Sequence, residues 1–166
     1  MRTILTMLLV TSFLLIPGPE AAASTQPSLG IAGGAIIPGG KLNRDTKIEW
    51  DFQYNWAMFI DIPLVKHFHI TPSAEIYRVG DLHLSDMCIS FRFMIPTRYL
   101  AFHLGIAPGI TAAGKQVNIN LGGEFGLTGH IVANLAWFAN TKYEEVFNDG
   151  GGLHTIHLYA GLKFFF

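Results

Sequence analysis

The sequence predicts an all-β protein: an eight-stranded antiparallel up-and-down transmembrane β-barrel, preceded by a cleaved signal peptide. Three observations point there. Across residues 48–60 the even positions Ile48, Trp50, Phe52, Tyr54, Trp56, Met58 and Ile60 are apolar, and Glu49, Asp51, Gln53, Asn55 and Ala57 between them are polar or small. The chain is 50% hydrophobic but only 14% charged, with a mean hydropathy of +0.35. Yet it contains no apolar run of the roughly 18 residues that a membrane-spanning helix requires.

A strand sends successive side chains to opposite faces, so residues 48–60 fit a place where one face meets an apolar medium and the other a polar one. Wound as a helix, they would scatter Trp, Asp, Phe and Asn around the axis. At about 3.3 Å per residue the segment is about 43 Å long, and a tilt of about 45° projects it to about 30 Å, the hydrocarbon thickness of a bilayer. Soluble domains carry about 25% charged residues. A chain this apolar without a spanning helix matches a barrel, whose signal is spread over alternating strands. The net charge of -1 and the absence of Lys/Arg clusters argue against a nucleic-acid partner. Cys88 is the single cysteine, which excludes a disulfide framework, a cysteine zinc motif and a lipoprotein anchor. The 166 residues allow one domain.

Residues 1–23 read as a secretory signal: Arg2, an apolar stretch over 4–16, then Pro17, Gly18 and Pro19, and Ala21, Ala22 and Ala23 before Ser24. The barrel domain is then 24–166. Strand one is the glycine-rich segment 29–38, followed by a polar loop over 39–47. Strand two is 48–60, with Pro63, Lys66 and His67 in the turn after it. Strand three, 68–78, sets Phe68, Ile70, Ala74 and Ile76 against His69, Thr71, Ser73 and Glu75, and ends at Gly80 and Asp81. Strand four sets Met87, Ile89, Phe91, Phe93 and Ile95 against Cys88, Ser90 and Arg92, and stops at Pro96.

Strand five, 100–110, opposes Leu100, Phe102, Leu104 and Ile106 to Ala101, His103, Gly105 and Ala107. Strand six, 117–128, opposes Val117, Ile119, Leu121, Phe125 and Leu127 to Asn118, Asn120, Gly122, Glu124 and Thr128, with a turn at Gly129 and His130. Strand seven, 131–143, sets Leu135 and Trp137 against Asn134 and Asn140, while Val132 and Phe138 break the pattern. A loop over 144–152 follows, carrying Glu144, Glu145 and Asp149. Strand eight, 156–166, turns Ile156, Leu158, Ala160, Leu162, Phe164 and Phe166 one way and His157, Tyr159, Gly161 and Lys163 the other. Pro72 and Pro108 interrupt strands three and five and are expected to mark bulges or, for Pro108, the outer strand end.

Alternation alone does not separate a membrane barrel from an inside-out soluble one such as a lipocalin-like carrier; side-chain size does. The polar faces are rich in Gly, Ala, Ser, Thr and Asn, which suits the narrow lumen of eight strands. The apolar faces carry Trp, Phe, Tyr, Leu and Ile, which would overfill that lumen and therefore belong in lipid. Trp50, Tyr99, Trp137, Tyr143 and Phe166 fall near strand ends, where a membrane girdle forms. In barrels of this kind the shorter connections, here 62–67, 96–99 and 129–130, face the periplasm, which puts both chain ends there.

With its signal segment, alternating strands and the ending Gly161, Leu162, Lys163, Phe164, Phe165, Phe166, the chain resembles the small eight-stranded outer-membrane β-barrel proteins of Gram-negative bacteria, the OmpA/OmpX-like superfamily. The resemblance implies secretion to the periplasm and insertion into the outer membrane. It also implies contact with outer-membrane lipid and lipopolysaccharide, and a C-terminal assembly signal (Leu158, Leu162, Phe164, Phe166) read by the barrel-assembly machinery. It fixes architecture better than activity, because such barrels host structural, adhesive, transport and enzymatic roles.

For chemistry, the inward parity collects Glu49, Asp51, Glu75 and Glu124 with Arg92, Lys163, His69, His103 and His157. Charges confined in a lumen must find partners, so a salt-bridged polar plug is the expected arrangement. A narrow porin-like path for ions or small solutes would use the same residues. His67 and His69 are spaced to touch one metal ion but lack further ligands, so no metal or cofactor is expected. His83 and Ser85 are similar to the His-x-Ser pair of outer-membrane lipid A deacylases. Here, however, Asp86 follows instead of Asn, and no Glu comes until Glu124, leaving the base without an orienting acid. The expectation is a monomeric, non-enzymatic envelope or surface-contact protein, with a channel and a lipid-modifying enzyme as alternatives.

Overall fold

A computed structural model describes residues 25–41, 47–48, 51–148 and 152–166. The predicted signal segment lies outside the described residues, as do Glu49 and Trp50. Every regular element described is a strand: β1 (Ser28–Lys41), β2 (Lys47–Ile48), β3 (Gln53–Val65), β4 (Phe68–Val79), β5 (Leu82–Pro96), β6 (Ala101–Ala113), β7 (Gln116–Val132), β8 (Leu135–Phe147) and β9 (Leu153–Phe165). The short β2 pairs only with the end of β1, Gly40 opposite Ile48. The other eight run antiparallel in chain order, and β1 closes the sheet by pairing with β9 from Ser28 opposite Phe165 to Gly40 opposite Leu153.

The stagger of the barrel follows from its register. Stepping across paired residues from Gly30 leads through Phe59, Ser73, Cys88, Gly109, Asn120, Val146 and Leu153 and returns to β1 at Gly40, ten residues along. Eight strands with a shear of ten tilt by about 40° from the axis. A strand of 13 residues such as β3 then rises about 33 Å, enough to cross a bilayer's hydrocarbon core.

The large apolar side chains face outward. Phe52, Trp56 and Phe91 are 68%, 65% and 46% exposed, whereas an inside-out carrier would bury them. Inward positions of β4, from His69 through Thr71, Glu75 and Tyr77 to Val79, are buried in strict alternation apart from the partly covered Ser73. Phe59 and Phe138, aromatics on the polar parity of their strands, also turn inward and meet edge to face with ring centroids 4.9 Å apart.

Several predicted boundaries shift. β3 begins at Gln53, separate from the Ile48–Gly40 pair of β2, and continues past Asp61 and Pro63 to Val65. The turn placed at Gly129 and His130 lies instead at 133–134, because β7 runs to Val132. β8 continues to Phe147, so Glu144, expected in a surface loop, is fully buried inside. Pro72 and Pro108 make no bulge. The register is the same on both sides of each, and pairing simply lapses on one seam, between Phe59–Ser73 and Ile62–Ile70 for Pro72 and between Cys88–Gly109 and Phe91–Ile106 for Pro108. A proline has no N–H to give, so one seam opens while the other, Pro72 to Ile89 or Pro108 to Leu121, stays paired.

Bulges occur where the turns require them. The two-residue turns at 66–67 and 133–134 contain no positive-φ residue, and the register shifts beside each, between Pro63 and Val65 and between His130 and Val132. At the opposite end, the turns at 80–81 and 114–115 open on Gly80 and Gly114, with φ of 60° and 61°, and need no bulge. The wall is also fitted to its contents: a Cβ on Gly30 would collide with the Phe59 ring, whereas one on Gly123 would meet nothing within 4 Å. Gly30→Ala is therefore expected to lower stability by about 1–3 kcal/mol. Gly123→Ala should change it by less than about 0.5 kcal/mol. Equilibrium urea unfolding in detergent micelles measures both.

Candidate functional site

Among the described residues the fold gathers its polar chemistry in the interior, and it is layered there. Nearest the end where Ser28 and Phe165 lie, Met94 and Ala101 form a small apolar cap. Above it, Lys163 Nζ reaches Asp61 Oδ2 at 2.8 Å, while Asp61 Oδ1 takes the Thr71 hydroxyl at 2.8 Å and lies 3.1 Å from His69 Nδ1. Arg92 grips Glu124 with two parallel bonds, Nε to Oε1 at 2.6 Å and a terminal nitrogen to Oε2 at 3.0 Å. Asn140 Nδ2 donates to Glu124 Oε2 at 3.0 Å and to the Tyr159 hydroxyl at 2.7 Å, and Asn140 Oδ1 lies 3.1 Å from His103 Nε2. The Arg92 guanidinium and the Lys163 ammonium stand 5.4 Å and 5.5 Å from the Phe59 ring centre. Two carboxylates thus face two fixed cations.

Ala32, Ala57, Phe59, Phe138 and Tyr159 form an apolar belt across the lumen. Beyond it lies a second polar layer. Lys142 Nζ bridges Glu75 Oε1 and Glu144 Oε2, both at 2.8 Å. Asn120 Nδ2 donates to the Thr111 hydroxyl at 2.9 Å and to Glu144 Oε1 at 3.3 Å, and Tyr77 donates to Asp86 Oδ1 at 3.1 Å. His157 lies 3.0 Å from Glu75 Oε2 through Nδ1 and 2.8 Å from the Thr155 hydroxyl through Nε2. Ile36, Val79, Leu84, Val146 and Leu153 pack with the Tyr77 ring as a cap at the far end. Charged layers separated by an aromatic belt and closed by apolar caps make a filled core.

Of the residues expected in the lumen, Glu75, Arg92, His103, Glu124, His157 and Lys163 are all buried there, together with His69. Asp51 is a correction: it shares the inward parity but precedes the first barrel pair of β3, Ile36 with Gln53, and is exposed, its Oδ2 taking a 3.3 Å bond from Gln53. His67 and His69 do not converge, since His67 Nδ1 lies 3.1 Å from the Met94 carbonyl oxygen in the turn. His83 and Ser85 lie on the outer face of β5, and the residues opposite them, Arg78 for His83 and Ile76 and Ala112 for Ser85, include no acid. Asp61, Lys142 and Tyr77 join the lumen without having been expected there, as do Glu144, expected in a surface loop, and Asp86, read only as a departure from the deacylase pattern. Their signal was available, because each continues the inward parity of a strand (Asn55 and Ala57, Cys88 and Ser90, Asn140, Glu75).

Of the expected girdle residues, Trp50 lies outside the described residues, and the other four fall at both ends of the barrel. Tyr99, exposed, sits in the 97–100 connection under the Arg98 guanidinium, 5.2 Å from the ring centre. Trp137 covers Gly129, where a Cβ would collide with its indole. Phe166 lies beside Pro27, its N–H bonded to the Pro27 carbonyl at 3.2 Å. Tyr143 is at the far side, stacked on His154. Leu158, Leu162 and Phe164 share the outer face of β9 and are exposed.

Removing one member of a buried ion pair strands its partner. Glu124→Gln is expected to cost about 3–5 kcal/mol, and the double replacement Arg92→Met with Glu124→Leu should recover most of that loss. Urea unfolding of the wild type and both variants in lipid vesicles checks this.

No protein-family model matches the sequence, and no curated protein matches it. Among solved structures it is similar to Neisserial surface protein A (NspA), at a TM-score of 0.72 and 14% identity over 84% of this chain and 97% of that one. It is also similar to Ail, the attachment invasion locus protein of Yersinia pestis, at a TM-score of 0.52 and 16% identity over 85% and 99%. The N-terminal β-barrel domain of Pseudomonas aeruginosa OprF gives a TM-score of 0.51 and 14% identity over 85% and 100%. Closed, antiparallel and eight-stranded with an apolar exterior, the chain has the fold of the small outer-membrane β-barrel proteins.

Proposed function

We propose that this chain is an outer-membrane protein of the Gram-negative envelope with a structural or surface-contact role, and that it neither conducts solutes nor catalyses a reaction. One observation carries the reading: an apolar exterior surrounds an interior stoppered by two ion-paired layers, an aromatic belt and apolar caps. Such a lumen leaves no wetted path, and charges already paired across it are not available to coordinate a passing ion. The exterior fits acyl chains of outer-membrane lipid and lipopolysaccharide, and the alternating end of β9 fits the strand that the barrel-assembly machinery would read. The barrel acts as a monomer.

With the chain ends on the periplasmic side, the turns at Gly80 and Gly114 face outward and are only two residues long. Surface contact then falls to the connection between β1 and β3 and to the one between β8 and β9. The described ends of the two meet, for the Lys41 N–H donates to the Gly152 carbonyl at 3.0 Å and Asn148 Nδ2 to the Lys41 carbonyl at 3.4 Å. Extracellular contact of this kind accords with the name of Ail, an attachment invasion locus protein.

Three measurements decide the reading. Membrane fractionation should recover the protein with the outer membrane, migrating compactly on gels until boiled; recovery in buffer without detergent would overturn the location. Planar-bilayer recordings should show no steady unitary conductance. A steady conductance that changes with Glu124→Gln would replace the plug with a channel. Lipid A from cells with and without the protein should give the same mass profile, since His83 and Ser85 carry no catalytic role here.

A further inference from the structure

We infer that the far polar layer is a binding site for one first-row divalent cation of the zinc class, held by Glu75, Asp86 and His157. The three side chains are 2%, 1% and 0% exposed. One ligand atom from each lies within 4.8 Å of the others. This goes beyond the envelope role and does not depend on it.

The arrangement differs from an ordinary hydrogen-bonded cluster in how its atoms are shared. Each of the three residues has one polar atom held by an outer partner and a second that no outer partner holds. Glu75 Oε1 is held by Lys142, Asp86 Oδ1 by the Tyr77 hydroxyl and His157 Nε2 by the Thr155 hydroxyl. The atoms left over are Glu75 Oε2, Asp86 Oδ2 and His157 Nδ1. Asp86 Oδ2 is fully enclosed and has no hydrogen-bond partner, and Glu75 Oε2 lies 3.0 Å from His157 Nδ1 without the alignment of a hydrogen bond. Asn55 adds a third orphaned oxygen beside them, its Oδ1 unpartnered while its Nδ2 sits 3.5 Å from His157 Nδ1. Turning that amide over would offer Oδ1 as a fourth ligand. Ligands oriented through their far atoms by outer partners are the usual construction of a metal site.

Charge points the same way. Among the described residues the near layer is balanced, Arg92 and Lys163 against Glu124 and Asp61. In the far layer the carboxyl groups of Glu75, Asp86 and Glu144 share one ammonium, that of Lys142, with the His157 imidazole beside Glu75. A carboxylate left without a cation in an enclosed space is costly. A divalent ion would supply the missing positive charge. An imidazole with two carboxylates selects zinc, manganese or iron over calcium and magnesium, which prefer oxygen alone. The cap of Ile36, Val79, Leu84, Val146 and Leu153 closes the layer from outside, so the ion would enter during folding and exchange slowly afterwards.

The test refolds the whole chain from urea into detergent micelles with Co2+ present, strips loose metal with EDTA, and measures bound cobalt by mass spectrometry and visible absorption. Folding of every variant is checked by gel mobility before and after boiling. Wild type should retain about one Co2+ per chain with the absorption of a low-symmetry nitrogen–oxygen site. Asp86→Asn and His157→Gln should lose it, and His103→Gln, in the near layer, should keep it. Folded wild type that retains no cobalt overturns the inference whatever the variants do, and indicates that protons alone neutralise the layer. Cobalt retained equally by folded Asp86→Asn also overturns it. Should His157→Gln fail to fold, loss of an imidazole signature from cobalt-bound wild type by electron spin-echo spectroscopy would overturn it in its place.

Discussion

The pairing of β9 with β1 is the constraint on which the rest of the molecule depends. A sheet facing hydrocarbon has no water to satisfy its edge, so each N–H and C=O must find a partner within the sheet, and closure alone provides one. Closure also fixes the stagger. Once Gly30 connects round the barrel to Gly40, the tilt and radius follow, and with them the volume available inside.

That volume is small, and the interior is matched to it pair by pair. Glycines on one strand receive large side chains from the next: Gly30 lies under Phe59, and Gly126 lies where His103 and Asn140 meet. Because the lumen admits little solvent, its charges are paired directly, and cations lean on aromatic faces as Arg92 and Lys163 do on Phe59. A bidentate Arg–Glu pair and a Lys–Asp pair hold four strands at once, since Arg92, Glu124, Asp61 and Lys163 come from β5, β7, β3 and β9. The polar core therefore ties the strands together in register, a job that apolar packing does in a soluble barrel.

The two polar layers are built differently. The near one pairs each carboxylate with a cation, and the buried atoms it leaves unpartnered, among them His69 Nε2 and His103 Nδ1, are ring nitrogens and hydroxyls. The far one sets three carboxyl groups around one lysine, and its unpartnered atoms are the oxygens of Asn55, Glu75 and Asp86. That asymmetry is not needed for a plug, since a balanced layer such as the near one would serve.

The sequence alone was sufficient for the parity of nearly every strand, because a strand alternates its side chains whatever surrounds it. Ile89, Phe91 and Phe93 face out and Ser90 and Arg92 face in by local geometry, and eight such segments with short connections leave few ways to bury them. Local pattern was weaker at strand ends: Glu144 and Asp51 exchange their expected places because only the pairing partner decides where a barrel strand stops. Prolines 72 and 108 were misread for a related reason, since a missing N–H can be absorbed at one seam without adding a residue. What the tertiary structure alone decided is which inward residues meet. Glu75 and His157 are far apart in the chain and come within 3.0 Å through the cumulative stagger of the closed sheet. Stagger is a property of the whole ring of pairings, and no single strand contains it.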